Sequence, residues 1–373
     1  MSNKVIVLGT SHSNDLGLIR SLGEAGISIV FIMVAKHDNY HVQKSVYLKN
    51  AETYITDTFD KVHIILNSIC DRNKDKQPII CTNDKAAEWI DKNEPQLSKC
   101  FTTPLRGKQI GKYFNKEKQC EIASKYGITA PKSYVYYNGE DFGDFFLNFP
   151  VLTKPLESSE GSKADIHICK DFEELMASVN NSRGCKAYII QEFIDKDFEL
   201  NALGVRTEMN VIWGGAIRKI RHYPWITGAC SFGQIVPVDL YGVPTAKIEK
   251  ILEEIGYYGV FSVEFLRKGD TNYFMEINFR HDGLGYVSTC AGINLPALYI
   301  EGKPEKNIKQ FIPVYMMNFI NDFRLCLKGR IGIKQWLISF KKTDAFIDYA
   351  KGDYAPFFAL IKQNIKGLFK ITR

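Results

Sequence analysis

The chain lacks the cysteine spacing that builds a stapled or zinc-bound module. Its nine cysteines (Cys70, Cys81, Cys100, Cys120, Cys169, Cys185, Cys230, Cys290 and Cys326) are odd in number and include no Cys-x-x-Cys pair. That argues against a disulfide framework or zinc knuckle and for reduced, buried thiols in a cytoplasmic protein. No apolar run reaches the roughly 18 residues that cross a bilayer. The run at 5–8 is too short for the apolar stretch of a secretory leader. Repeats and low-complexity segments are missing. The turn from Gly9 to Gly17 lacks Gly-x-Gly-x-x-Gly spacing, and no ribose-binding acid follows. A dinucleotide site is therefore disfavoured there, and a small-substrate contact at the strand end is expected instead. Basic excess is missing from the body: residues 311–373 carry 11 Lys and Arg against 4 Asp and Glu, and the rest holds 37 against 38. Nucleic-acid binding is disfavoured on that ground, and no nucleic-acid partner is expected.

What is present suits two or three soluble domains: 373 residues, 45% hydrophobic and 24% charged. Apolar runs at 5–8, 27–33 and 78–82 read as buried strands, and Leu16, Ile19 and Leu22 lie at helical spacing between the first two. This is βαβ logic and implies a parallel sheet. Beyond about 105 the texture changes. Asn115 can cap a helix over 116–126 that Gly127 and Pro131 terminate. Strands are expected at 133–137, 151–154, 165–169, 188–193, 199–205 and 209–213, with a helix at 172–179. A loop rich in aromatics and glycine is expected over 223–233.

The sharpest signal is a hairpin over 260–278. Phe261, Val263 and Phe265 share one face of its first strand, and Ser262 and Glu264 share the other. In the second strand Tyr273, Met275 and Ile277 share a face, opposite Phe274, Glu276 and Asn278. Directly paired residues lie on the same face, so matching apolar to apolar requires an odd loop, Gly269-Asp270-Thr271. Glu264 then stands opposite Glu276, with Asn278 further along. Like charges so paired repel by about 0.2–1 kcal/mol even when solvated. A divalent cation removes the conflict, and magnesium takes such oxygens while leaving positions for water and phosphate.

The segment Glu264…Met275-Glu276-Ile277-Asn278-Phe279-Arg280 resembles the metal-binding signature of the ATP-grasp superfamily. Other pieces follow in the family's order. Phe114-Asn115-Lys116 resembles the first nucleotide lysine, and Pro150-Val-Leu-Thr-Lys154-Pro155 the second. Glu157-Ser-Ser159-Glu160-Gly161-Ser162 resembles the lid over the phosphates, although two glutamates stand where glycines are common. Gln191-Glu192-Phe193-Ile194 resembles the adenine hinge, with Glu199 near the ribose. Gly9…Asn14-Asp15-Leu16-Gly17 resembles the first domain of carbamoyl-phosphate-synthetase-like and D-aspartate-ligase-like members.

The resemblance implies a Rossmann-like parallel α/β domain at 1–105 and a two-lobed α+β ATP-grasp domain at 106–310, with its lid lobe at about 130–195. A basic, aromatic helical extension follows at 311–373. It implies ATP and one or two Mg²⁺, with Mn²⁺ as a substitute, held by Glu264, Glu276 and Asn278. Lys116, Lys154 and the lid residues Ser159, Gly161 and Ser162 would meet the phosphates. The implied reaction is ADP-forming carboxylate–amine ligation through an acyl-phosphate. A thiol acceptor, a bicarbonate donor and a non-catalytic nucleotide-binding regulator are the alternatives. Arg280 would bind a carboxylate or acyl-phosphate, for which its planar fork is suited. Arg218 and Arg221 are candidates for further anion contacts, against a reading as exposed strand-end charges. His222 is a weaker candidate for a base. His281 and Asp282 have no assigned role. Over 356–370, Phe357, Phe358, Ile361, Ile365 and Leu368 share one helical face, with Lys362, Lys366 and Lys370 on another. The expectations there are a helix docked on the protein or peripheral contact with the inner membrane surface, the latter suiting an amino acid added to a cell-surface polymer precursor.

Overall fold

The structure, a computed structural model, describes residues 4–36, 40–72, 75–156, 166–181, 185–225 and 228–370, with side chains as far as 364. The first sheet holds β1 (Lys4–Gly9), β2 (Ser28–Val34), β3 (Glu52–Thr56), β4 (Gln77–Cys81) and β5 (Phe101–Thr102). All its pairs are parallel, in the order β3-β2-β1-β4-β5. Val5 to Leu8 are all buried because helices cover both faces of the sheet. The order reverses direction at β1, and ligands of doubly wound sheets gather outside the strand ends at such a point. The turn after β1 is closed by its own acid. The Asp15 carboxylate accepts from His12 N (2.8 Å), Thr10 N (3.2 Å) and the Thr82 hydroxyl.

The lid lobe is a four-stranded antiparallel sheet of β6 (Ser133–Tyr137), β7 (Val151–Pro155), β8 (His167–Cys169) and β9 (Ala187–Glu192), in the order β6-β9-β7-β8. The helix Phe172–Asn181 packs on it. The third sheet has seven strands: β10 (Phe198–Arg206), β11 (Val211–Tyr223), β12 (Ala229–Val236), β13 (Gly259–Lys268), β14 (Thr271–Asn278), β15 (Val314–Met317) and β16 (Thr343–Phe346). Their order is β14-β13-β10-β11-β12-β15-β16.

Three expectations are corrected here. The strand expected at 209–213 is β11, which runs on to Tyr223. Gly214 and Gly215 interrupt its side-chain pattern, yet both are required by packing. A Cβ on Gly214 would fall 2.1 Å from Ser288 Oγ, and Gly215 has φ 111°. Part of the stretch expected as a glycine-rich loop is strand β12. The stretch 311–373, expected as a helical extension, supplies β15 and β16 to the seven-stranded sheet.

The C-terminal segment also reaches the first domain. The Asp353 carboxylate accepts from Arg20 Nε (2.9 Å), Ser45 Oγ (3.0 Å) and Val46 N (2.8 Å). Both members of the Arg20–Asp353 pair are at most 1% exposed. The helix Ala355–Lys370 docks through Phe357, whose ring lies 5.6 Å from Phe319 and 5.7 Å from Tyr349, and through Asn364, which accepts from Arg324 Nη2 at 2.5 Å.

Two apolar cores run through both the first sheet and the seven-stranded sheet. One joins Ile6, Leu8 and Ile79 to Phe261, Val263 and Phe265. The other joins Val5, Val7 and Phe31 to Ile217 and Met316. The lid lobe has its own core around Tyr136, Phe142, Val151 and Tyr188. The expectation of nine reduced thiols is also corrected: Cys70 and Cys100 form a disulfide with Cα atoms 5.7 Å apart. The pair is 30 residues apart and joins the ends of two helices beside β4 and β5, so no local spacing announced it. No helix among the described residues is long and apolar enough to cross a membrane.

Candidate active site between the lid lobe and the seven-stranded sheet

The hairpin brings the two acids together as expected, by a different route. Glu264 pairs with Glu276, Val263 with Ile277 and Ser262 with Asn278. Beyond Glu264 the register shifts, so Phe265 pairs with Phe274 and Lys268 with Thr271. The loop therefore has two residues, and Met275 is the extra residue of a bulge. The bulge turns Phe274 into the core, where its ring lies 6.1 Å from that of Phe265 and is fully buried. Met275 is left lining the cleft.

That cleft has a volume of about 510 Å³ and lies between the lid lobe and the seven-stranded sheet, reaching the ends of β1 and β4. Glu264, Glu276, Lys116, Lys154 and Arg280 line it, as do Glu192, Phe193, Ile194 and Glu199. Lys116 opens the helix Lys116–Lys125, whose Asn115 cap accepts from Lys118 N at 3.1 Å. Gln119 on that helix clamps it to β14, accepting from Ile277 N (2.7 Å) and donating to Ile277 O (3.1 Å). Lys116 N in turn donates to Leu156 O (3.4 Å), beside the end of β7 that carries Lys154. Two buried ammonium groups are thus set near each other. Burial pushes Lys154 below its ordinary range and Lys116 adds to this, against the attraction of Glu276.

Asn278 is buried rather than in the cleft lining. Its Nδ2 donates to Ser262 Oγ (3.2 Å), and its Oδ1 accepts from Arg280 Nη2 (2.9 Å). Arg280 also donates from Nε to Asp84 Oδ1 (2.7 Å). Burial alone would lower Arg280, but Asp84 and Asp282 keep it above its ordinary range. Asp282 accepts from Ser262 Oγ (2.9 Å), which gives this acid a place in the network that the sequence did not supply. The stretch expected as the hinge lies at the end of β9, where Glu192 accepts from Lys132 N (2.9 Å) and Phe193 N donates to Pro150 O (3.3 Å).

The arginines of the basic stretch are not brought to the cleft. Arg218 is exposed and sits over the Phe198 ring at 4.7 Å. Arg221 is buried in a two-pronged pair with Asp322 (2.9 and 2.7 Å) and donates to Ser339 Oγ (3.1 Å). Lys219 between them is the residue that faces in. Its Nζ donates to Glu264 Oε2 (2.8 Å) and Glu199 Oε2 (3.0 Å), while Lys196 holds the other Glu199 oxygen at 2.6 Å. Burial would lower Lys219, but the two glutamates hold it well above its ordinary range. Burial would likewise raise Glu199, yet Lys219 and His222 keep it well below. His222 Nε2 is 3.4 Å from Glu199 Oε2, an ion-pair distance without hydrogen-bond geometry. Alternation along β11 was the signal for Lys219, since Ile217, Lys219 and Arg221 are buried and Arg218 and Ile220 are exposed. Ser159, Gly161 and Ser162 lie outside the described residues.

The donor set suits a hard cation. Two carboxylates meet across the strands and an amide oxygen lies behind them, with no sulfur or imidazole among the three. No group of three or more His, Cys, Asp or Glu converges here or anywhere else among the described residues, so a cation would rest on the two carboxylates, the amide and the ligand's own oxygens. A buried lysine pair near an acid pair is complementary to a polyphosphate carrying a divalent ion.

Two buried histidines make stability fall in acid. His281 is buried, and burial pushes it down to about 4 against the opposing pull of Asp282. His41 is also lowered to about 4 by burial. An unfolded histidine titrates near 6.5, so the unfolded chain takes up protons first as pH falls. Stability is full above about 6.5 and drops between there and 4, by about 3–4 kcal/mol for fully buried His281 at ~1.4 kcal/mol per unit. Urea unfolding across this window should show the slope, and a His41→Gln/His281→Gln variant should flatten it.

No family model matches the chain. It is 32% identical over 151 residues to the formate-dependent phosphoribosylglycinamide formyltransferase of Francisella tularensis subsp. tularensis, covering 38% of this chain and 37% of that protein. The L-amino acid ligase from Bacillus licheniformis superposes with a TM-score of 0.63 at 14% identity, over 83% of this chain and 77% of that one. Carboxyaminoimidazole ribonucleotide synthase from Aspergillus clavatus, complexed with ATP, superposes with a TM-score of 0.66 at 14% identity, over 88% and 87%. The three-sheet architecture with a cleft under the four-stranded lobe is the one the hairpin signature implied: the chain has the ATP-grasp fold.

Proposed function

We propose that the chain is an ATP-dependent ligase that activates a carboxylate as an acyl-phosphate and joins it to an amine. The observation that carries this reading is the Glu264–Glu276 pair on the floor of a cleft that also holds Lys116 and Lys154. In this reading a divalent cation held by Glu264, Glu276 and the Asn278 amide oxygen shields charge on the nucleotide phosphates. Lys116 and Lys154 neutralise phosphate oxygens, and Glu192, Phe193 and Ile194 meet the base. Glu199, fixed by Lys196 and Lys219, meets the ribose. The substrate carboxylate sits beside Arg280, attacks the γ-phosphorus and releases ADP. The amine then attacks the acyl carbon and phosphate leaves. Catalysis of this kind is positioning and charge neutralisation, which a preformed network supplies. The relatives' names support the choice of an amine: one is an L-amino acid ligase and another a formyltransferase acting on a glycinamide.

The acceptor proposed is an amine on a cell-surface polymer precursor, with an amino acid as donor. The test is ADP release screened over amino acids paired with amine acceptors, including cell-wall and capsule precursors. Release that needs both partners, with an amide product by mass spectrometry, supports the reading. Release driven equally by bicarbonate alone, or a thioester product, replaces it.

Lys219→Met removes the cation between Glu199 and Glu264 and leaves two half-buried carboxylates without their shared partner. Activity should fall about 10²-fold, the scale of losing one preorganised electrostatic group. Nucleotide affinity, read by titration calorimetry, should weaken as well.

A further inference from the structure

The helix Ile333–Lys342 has an inner and an outer side of different character. Its inner side is saturated: the Trp336 ring lies 5.1 Å from Phe323, 5.7 Å from Phe319 and 5.4 Å from Phe340. At 100° per residue the opposite side presents Ile333, Lys334, Leu337, Ile338, Lys341 and Lys342, all exposed. Around that side Lys341 and Lys334 lie between Ile333 and Leu337 on one flank and Ile338 on the other, with no acid among them. Ile338 is 56% exposed, and Leu327, at the end of the preceding helix, is 71% exposed. Lys328 and Arg330 follow it, also exposed.

The acids of this segment do not balance those charges. Asp322 is spent on Arg221 and Ser231, Asp353 on Arg20, and Asp348 on the amides of Phe319 and Ile320; all three are buried. Exposed Asp344 accepts from Tyr315 N. No ion pair among the described residues engages Lys328, Arg330, Lys334, Lys341 or Lys342. Five exposed basic residues, Lys328, Arg330, Lys334, Lys341 and Lys342, thus share a surface that also carries large aliphatic side chains.

We propose that this surface docks on an anionic phospholipid membrane, the outer side of Ile333–Lys342 lying in the interface with Leu327 beside it. A solvated helix face carries charges of both signs and few large aliphatics. An interfacial helix carries aliphatics that enter the acyl boundary and lysines that reach phosphate headgroups. The surface belongs to the same segment as the cleft: Asn318, which lines the cleft, caps the helix that ends at Leu327. Docking thus holds one edge of the cleft near the bilayer. The docking stands whether or not the ligase reading does, because it is read by binding alone.

The test is flotation of the full chain with vesicles of phosphatidylcholine plus phosphatidylglycerol, against phosphatidylcholine alone. Binding should need the anionic lipid and weaken with salt. Lys334→Gln/Lys341→Gln/Lys342→Gln should weaken it roughly 100-fold, from about fivefold per lysine. Leu337→Ser/Ile338→Ser should also lose binding while keeping the thermal midpoint, since both side chains are exposed. No flotation with the anionic vesicles, equal flotation with both kinds, or binding undiminished in the lysine variant overturns the proposal. A dimer in sedimentation equilibrium that Leu337→Ser/Ile338→Ser dissolves also overturns it, because a second copy then covers the face.

Discussion

Glu276→Gln should lower kcat for ADP release by about 10²–10³ while leaving the fold intact. The carboxylate stands opposite Glu264 on a neighbouring strand and lines the cleft. The amide keeps its size and one oxygen but loses the charge. Under the proposed chemistry that charge fixes a cation against the phosphates, and losing one such preorganised interaction costs on this scale. The change removes the repulsion from Glu264 but also the attraction to buried Lys154, two opposed effects, so thermal stability should change little. Activity lost without loss of stability separates a working acid from a structural one. Raising Mg²⁺ or substituting Mn²⁺ should recover part of the activity if the defect is in metal binding. Substrate-dependent ADP release that survives in the variant removes Glu276 from its assigned role.

The largest loss of stability should come from Asp353→Ala, about 3–5 kcal/mol by urea denaturation. The change strips the partner from an arginine that is fully buried, and an uncompensated buried charge costs on this order. Ser45 Oγ and Val46 N lose their acceptor as well. Arg20→Met/Asp353→Leu removes both charges and should recover most of the loss, because replacing a buried pair by apolar groups is often near neutral. A truncation ending at Lys351 removes the same acid. It therefore reports on stability before it reports on anything the C-terminal helix does.

Local chemistry was legible and distant pairing was not. The cap at Asn115, the strand 133–137 and the facing of Glu264 and Glu276 followed from spacing and alternation within a few residues. The Met275 bulge did not, because apolar matching allowed Met275 as readily as Phe274 to face the core. Lys219 was passed over for its arginine neighbours, since Gly214 and Gly215 hid the length of β11 and with it the alternation. β15 and β16 are four residues each, and the partner β12 that pairs with β15 lies about 80 residues earlier, so no nearby pattern marks them. The Cys70–Cys100 disulfide and the Arg20–Asp353 pair are likewise contacts between distant stretches. The aromatic spacing near the end does mark a helix, Ala355–Lys370, because its apolar residues recur at helical intervals.

The tether from Asp353 back to Arg20 has a mechanical consequence. It fastens the last part of the chain to the first domain, and the shared cores already join that domain to the seven-stranded sheet. The walls around Asn14, Asp84 and Arg280 are then one rigid anvil. The four-stranded lobe, with a separate interior, is the hammer. A change in the width of the cleft would then move the lobe that carries Lys154 as a unit and leave Asp84 and Arg280 where they are.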